Sequence, residues 1–522
     1  MLQRRPQSID PATLAQITAL AQDDIEYQTD LAQQRDYYEG RQFIALTDRL
    51  RAFLGGNIGV TSKDFKRVRL NIFRTVINAV VERLIVSKIT TDEQGVEAPL
   101  TNEQGQVVTD AHGQPQAGVV KPTAVWAGRT WLHNRMDARQ RTIYEMTLRD
   151  SEAFVLVAWD DAQQVARFTL HPRYIDEGVT KQNGYGCLAV YANNDPEQPL
   201  LFVAKRWVET TYPQGSRVDT QRMTVYFPDR IEKYRGMPNS WEPSPDAGDP
   251  SWPIPWKDPH TGDPLGIPIV HFRSTAGFEA GEAVGPQNAI NKTMIDLLAA
   301  ADLTAFQILI AMGWDPVDAD GNPLPIEPGS WMGTTNKDGK VVVVPGADLT
   351  NISEQVYNWI QWAAMATDTP VARFITSKMI AAEGTQKQQD GPLLHKLRTR
   401  QSELSIGISD LFVVARRMHN AFFSAPRLDT EVTLTAEWEP LEARDEDAEL
   451  ARAVIKVTSL GVPVEQVQSE IGYTEVQIMQ WKADRDAKQI EEQKQQAAQL
   501  KAMQQQQDTP QNGNLPPLPM KG

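Results

Sequence analysis

The amino-acid sequence predicts an α+β chain in which helical segments flank a block of short antiparallel strands. Three observations carry that prediction. Apolar residues recur at three- and four-residue spacing over 71–86 and 282–312, which makes one stripe along a helix. Between about 153 and 236, short runs rich in β-branched and aromatic residues alternate with turn residues. After a lone strand-like run at 431–440, charged helical patterns return, punctuated by Gly461 and Pro463.

The elements follow in order. Residues 10–52 carry a helical pattern opened by Asp10 and Pro11, a suitable N-cap and first helical position, with a stop at Gly40. A second helix is expected over 71–86, where Ile72, Val76, Ala79, Val80, Arg83 and Leu84 share a face. Residues 91–121 hold many Gly, Gln, Thr and Asp and predict a surface loop or hairpin excursion; GGNIG at 55–59 reads as a turn. Helix is expected again over 126–154. From there AFVLVAWD, ARFTLHPRYI, GCLAVYAN, LFVAKRWVET and QRMTVYFPDRIEKYR predict one mostly antiparallel sheet. The Pro-, Gly- and Trp-rich stretch 241–266 is expected to form no regular element, and IPIVHF (267–272) one further strand.

The stripe of Ile290, Met294, Leu297, Ala301, Ala305, Ile308 and Met312 predicts a helix of 31 residues, from 282 to 312, spanning roughly 45 Å. Residues 313–350 predict a small strand-and-turn unit, with Asp-Gly-Asn-Pro and Lys-Asp-Gly-Lys as its turns. Helix resumes at 352–369, stops at Pro370, and returns over 386–423 with Gly391-Pro392 near its start. A strand at 431–440 precedes a helix ending at Gly461, a short helix opened by Pro463, and a capping-box pattern at Thr474–Gln477. Nine of the nineteen residues from Gln489 to Gln507 are glutamine, so the tail beyond has a disordered composition. No internal repeat is visible.

Composition narrows the function. A length of 522 residues predicts about two to four domains. With 52 Lys+Arg against 67 Asp+Glu, the formal net charge is -15, the wrong sign for a chain that grips duplex DNA over its whole surface. The single cysteine, Cys187, excludes a disulfide framework and a Cys-based zinc site. Arg4 and Arg5 precede no apolar run, so no signal peptide is expected. The most apolar stretch, 294–314, is broken by Asp296 and Asp302, so no membrane span is expected either. There is no Walker-type loop and no GxSxG elbow. The seven histidines form no close ligand pair, so neither an enzyme nor a cofactor or metal is expected.

Several local sequences, in this order, carry a family resemblance: GIPIVHFRS (266–274) and GxxxGPQNAINKTMIDL (281–297); then DTPVARFI (368–375) and AAEGTQKQQDGPLLHKLRTRQSEL (381–404); then EWEPLEARDEDAELARAVIKVTSLGVPVEQVQSEIGYTEVQI (437–478). The series resembles the portal proteins of tailed double-stranded DNA phages, of the kind typical of long, non-contractile-tailed phages. Many relatives carry Ser-Gly before the last long helix, where this chain has Glu383-Gly384-Thr385. The resemblance implies a portal-type subunit with a wing (1–275), a stem helix (276–312), a small α/β clip (313–350) and a second stem helix (351–369). A tunnel-loop region (370–388), a long wing helix (389–424), a wing strand (425–442), an α-helical crown (443–490) and a Gln/Pro-rich tail (491–522) would follow. It also implies a ring of about twelve subunits at one capsid vertex. Double-stranded DNA would pass through it without sequence specificity. The terminase large subunit, the major capsid and scaffold proteins and a head–tail adaptor would be partners, in the virion and in the host cytoplasm during assembly.

Carried onto this chain, Thr376, Ser377, Lys378, Gln386, Lys387 and Gln388 would face DNA, and Asp315, Asp318, Asp320, Lys337, Asp338 and Lys340 would contact the motor or adaptor. Ordinary polar loops and turns would account for the same residues. Residues 426–500 hold 16 Asp+Glu against 8 Lys+Arg. An acidic wall would keep a polyanion mobile, and a solvated helix surface would show the same count. Ala299, Ala300, Ala301 and Ala305 would permit close helix packing, between subunits or within one. Trp241, Trp252 and Trp256 are expected at a subunit contact. A head–tail adaptor or capsid assembly protein without a channel, and a nucleic-acid-processing enzyme, are the competing readings.

Overall fold

The computed structural model describes residues 10–22, 25–44, 70–99, 117–174, 185–237, 240–244, 253–305, 309–313, 317, 336–343, 349–375, 383–423, 427–441, 446–471, 478, 481 and 485. The chain divides into two compact units. One holds Met1–Gln94 with Lys121–Leu441, the other Gly95–Val120 with Glu442–Gly522.

The first unit opens with α1 (Pro11–Gln22) and α2 (Ile25–Tyr38). Asp10 caps α1 as expected: its Oδ2 accepts the Thr13 backbone N–H at 3.0 Å. Gly40 closes α2 in the left-handed region, at φ 67°. Helix α3 (Ile72–Val81) is capped by Asn71 and buries Phe73, Val76, Ile77 and Val80. The predicted helix over 71–86 is therefore too long. Glu82 and Arg83 form a turn, Leu84 is buried after it, and Val86 already starts strand β1 (Val86–Thr91). Apolar residues suit either period there, and the distant strand partner at 434–438 settles it. In the second unit β2 (Val96–Pro99) and β3 (Ala117–Val120) pair antiparallel, so the excursion is a hairpin.

The helix expected over 126–154 is two, α4 (Pro122–His133) and α5 (Met136–Asp150). Asn134 makes the break. Its amide donates to the Thr130 and Ala166 carbonyls and accepts from the Phe168 N–H, and Arg135 turns left-handed at φ 52°. Strands β4 (Glu152–Asp160), β5 (Val165–Pro172), β6 (Gly186–Tyr191), β7 (Leu200–Thr211), β8 (Val218–Tyr226) and β9 (Arg230–Met237) follow.

They do not form the single sheet expected. β4 and β5 join β12 (Ile269–Arg273) in a three-stranded sheet. β6 to β9 join β10 (Ser240–Pro243) and β11 (Ile254–Pro255) in a six-stranded one. Phe154, Cys187, Val203 and Ile269 pack between the sheets, and Tyr174 N–H donates to the Cys187 carbonyl at 3.1 Å.

The Pro-rich stretch 241–266 is more regular than expected. It supplies the rest of β10 and all of β11, each with proline last on an edge strand, where a missing N–H costs nothing. Trp241 is buried in the core of the larger sheet, and the Trp256 indole donates to the Gly266 carbonyl at 2.8 Å. Trp241 is thus used inside the subunit and not at a subunit contact, Trp256 packs partly buried against the main core, and Trp252 lies outside the described residues.

Helix α6 (Val284–Ala305) is followed by β13 (Leu309–Met312), paired antiparallel with β14 (Lys340–Val343). The predicted 31-residue helix thus stops short. Its last apolar residues fit a strand equally well, and Val341–Val343 provides the β-branched partner. Then come α7 (Leu349–Ala366), the 40-residue α8 (Glu383–Phe422) and β15 (Leu434–Trp438), which pairs with β1. α8 carries Leu393, Leu397, Leu404, Ile408, Leu411, Phe412 and Ala415 into the main core, against α4, α5 and the three-stranded sheet. In the second unit α9 (Glu446–Leu460) ends before Gly461, at φ 66°, and α10 (Val464–Ile471) follows Pro463, both as predicted.

Candidate functional site

The segments singled out by the sequence converge on the α6–β13–β14–α7 hairpin and the turn that leads from it into α8. α6 and α7 lie side by side on α3. Ile72, Ile290, Ile360 and Ala363 form their buried seam, partly covered by Met294, Trp359, Phe374 and Ile375. Ala299 is buried within the subunit. The polar residues of the GPQN motif fix the base of the pair. Gln287 is fully buried on α6, and its Oε1 accepts the N–H of Ile72 at 2.8 Å and of Phe73 at 3.3 Å, while its Nε2 donates to the Leu70 carbonyl. It thereby serves orphan donors at the start of α3. Asn288 Oδ1 accepts from the Tyr37 hydroxyl at 2.6 Å.

At the far end of the hairpin, Asn336–Gly339 form a turn. Gly339 N–H reaches the Asn336 carbonyl at 3.1 Å, and the Asn336 amide donates to the Gly313 carbonyl at 2.7 Å. Lys337, Asp338 and Lys340 are exposed there. Asp315, Asp318 and Asp320 lie outside the described residues.

α7 ends where Thr367 and Thr369 donate back to the Ala363 and Ala364 carbonyls and Asp368 turns left-handed, at φ 48°. Pro370 then opens a single 3-10 turn, Val371–Arg373. Thr376, Ser377 and Lys378 lie outside the described residues. Gln386, Lys387 and Gln388 belong to the first turns of α8, not to a loop.

The anchor of this crossing was not singled out in the sequence. Glu279, on the loop before α6, has a side chain with no exposure. It pairs with Lys396 Nζ at 2.5 Å and with Arg400 Nε at 2.7 Å, both on α8. Lys396 also donates to the Thr367 carbonyl at 2.7 Å, and Arg400 to Glu403 at 3.0 Å. Burial opposes the Arg400 charge, but Glu279 and Glu403 hold its pKa above the ordinary arginine value. One buried carboxylate thus ties the entry to α6, the exit from α7 and the start of α8. The available signal was the i, i+4 spacing of Lys396 and Arg400 on one helix face.

Among the described residues no group of His, Cys, Asp and Glu is arranged to hold a metal ion. No helix among them is long and apolar enough to cross a membrane. Burial pushes the Cys187 thiol up to about 12, too high for a thiolate nucleophile at neutral pH. What the segments offer is a helix pair joined to a two-stranded hairpin with charged residues at its turn, braced at its base. The profile of the family described as phage portal protein, SPP1 Gp6-like, matches residues 19–500.

The chain belongs to that family. As a phage portal protein it is a capsid component of a structural, non-enzymatic family. The mixed helix and antiparallel sheet fit a portal subunit. Among curated proteins no match to the chain reaches significance.

Proposed function

We propose that this portal protein closes into a ring of about twelve copies at one capsid vertex, whose channel passes double-stranded DNA during packaging and ejection. The α6–α7 pair is the stem and the β13–β14 hairpin the clip. The exposed Lys337, Asp338 and Lys340 would meet the terminase large subunit and later the head–tail adaptor. Lys378 and Lys387, repeated around the axis with Thr376, Ser377, Gln386 and Gln388, would make weak, sequence-independent phosphate contacts. Capsid and scaffold proteins are the expected partners outside the ring.

One observation carries the ring: the outer face of the braced helix pair exposes several large apolar side chains among its polar ones. Leu298 on α6 and Tyr357, Trp362 and Met365 on α7 are exposed, Met365 by 76% and Trp362 by 58%. A face of that kind on a capsid protein is one that another copy covers. The test is the particle mass of the purified 58.4 kDa chain, alone and with its scaffold protein. A species of about 700 kDa, twelve copies in closed symmetry, is expected. A chain that stays monomeric in both conditions would overturn the reading.

A further inference from the structure

Away from the stem, a cleft of about 270 Å³ opens beside β4, β6 and β12. Its floor is a polar network. Glu152 Oε1 accepts from the Tyr27 hydroxyl at 2.9 Å and lies 3.2 Å from the Arg173 Nε, and its Oε2 pairs with His271 Nε2 at 2.8 Å. His271 Nδ1 in turn meets the Tyr191 hydroxyl at 2.8 Å, and the imidazole stacks on Phe154. Burial works against Glu152 ionising, but Arg173, His271 and Tyr27 together hold its pKa down to about 2, so it is a full negative charge at neutral pH.

Two lining groups have no share in that network. Ser274 is 7% exposed, and its Oγ is buried without a hydrogen-bond partner among the described residues. A buried hydroxyl left unpaired is costly, so such an atom signals a missing partner. Beside it Arg273, half-buried at the end of β12, makes no ion pair among the described residues. The lining residues carry two guanidinium groups, Arg173 and Arg273, against one carboxylate, Glu152. By that count of arginines and glutamate the lining carries one positive charge in excess, and Arg273 and Ser274 both border the cleft.

We propose that this cleft binds a carboxylate group, held by the Arg273 guanidinium and the Ser274 hydroxyl. A single negative charge balances the lining. A phosphate dianion would overcharge it and press against Glu152, while a planar carboxylate matches the fork of one arginine. The carboxylate is that of a small free acid or of an Asp or Glu side chain from a second copy of the chain. The inference does not depend on the DNA channel.

The experiment is calorimetric titration of the full chain with acetate and with inorganic phosphate, at pH 7 and constant ionic strength, in unassembled and assembled form. Acetate is expected to bind, and to bind more tightly than phosphate. Arg273→Gln should weaken it by about tenfold or more, and Ser274→Ala by several-fold, as expected for lost charge-assisted and neutral hydrogen bonds. Arg273→Lys should lie between wild type and Arg273→Gln and report that the site is folded. Acetate binding to both forms identifies a free acid as the occupant. Binding to the unassembled form alone identifies a neighbouring copy's side chain. No acetate binding to either form, equal binding by Arg273→Gln, or tighter binding of phosphate would each overturn the proposal.

Discussion

Replacing Glu279 by Gln tests the brace beneath the stem. The carboxylate is wholly buried and faces Lys396 and Arg400, themselves nearly buried. Removing one partner of such a pair costs about 3–5 kcal/mol, because the remaining charge is left in a poor solvent. The surroundings soften that figure. Gln keeps the volume and one acceptor, Lys396 keeps the Thr367 carbonyl and Arg400 keeps Glu403. The lower end, about 3 kcal/mol, is therefore expected. With a urea dependence of about 3 kcal/mol per molar, the unfolding midpoint followed by tryptophan fluorescence should fall by about 1 M. Glu279→Gln in a Lys396→Met background should cost less than in the wild type, since the charge that needed it is gone. A midpoint within about 0.2 M of wild type would refute the reasoning, by showing that water reaches the cluster.

Three further outcomes follow from the packing and charge. Gly407→Ala on α8 should destabilise by about 1–2 kcal/mol in the same urea assay, despite better helix propensity, because overpacking outweighs that gain. The new Cβ would sit 2.5 Å from the buried Phe272 ring. Met365→Glu combined with Trp362→Glu should leave the subunit folded but shift assembled particles toward monomer. Covering the exposed part of Trp362 alone, roughly 140 Å², is worth about 3.5 kcal/mol per contact. Glu152 has a folded-state pKa of about 2 against an ordinary 4.5, so its contribution is present above about pH 4.5 and is lost as pH falls toward 2. That difference is worth on the order of 3 kcal/mol. Glu152→Gln should therefore lower stability at pH 7 and flatten the acid limb of a stability–pH curve.

The sequence was legible where one local signal acts alone. Asp10-Pro11, Gly40, Gly461 and Pro463 mark helix ends where the structure has them. It misled where tertiary partners arbitrate. Leu309–Met312 continues a helical stripe yet pairs with β14, and Val86 follows a helical pattern yet pairs with β15. Asn134 bonds locally to the Thr130 carbonyl, but its bonds to β5, which no local pattern announces, complete the break. For the candidate site, the motifs fall at the start of α6 and just after α7, and the Lys-Asp-Gly-Lys turn signal falls at the turn before β14. The brace was invisible, since Glu279 lies more than a hundred residues from Lys396 and Arg400 and meets them only in the fold.

End-on projection images of the purified assembly test the ring most directly. Closed rings of about twelve subunits are expected around a central hole wide enough for a duplex, with the α6–α7 pairs arranged around it. Compact particles without a hole, or a two-fold dimer as the largest species with scaffold present, would contradict it.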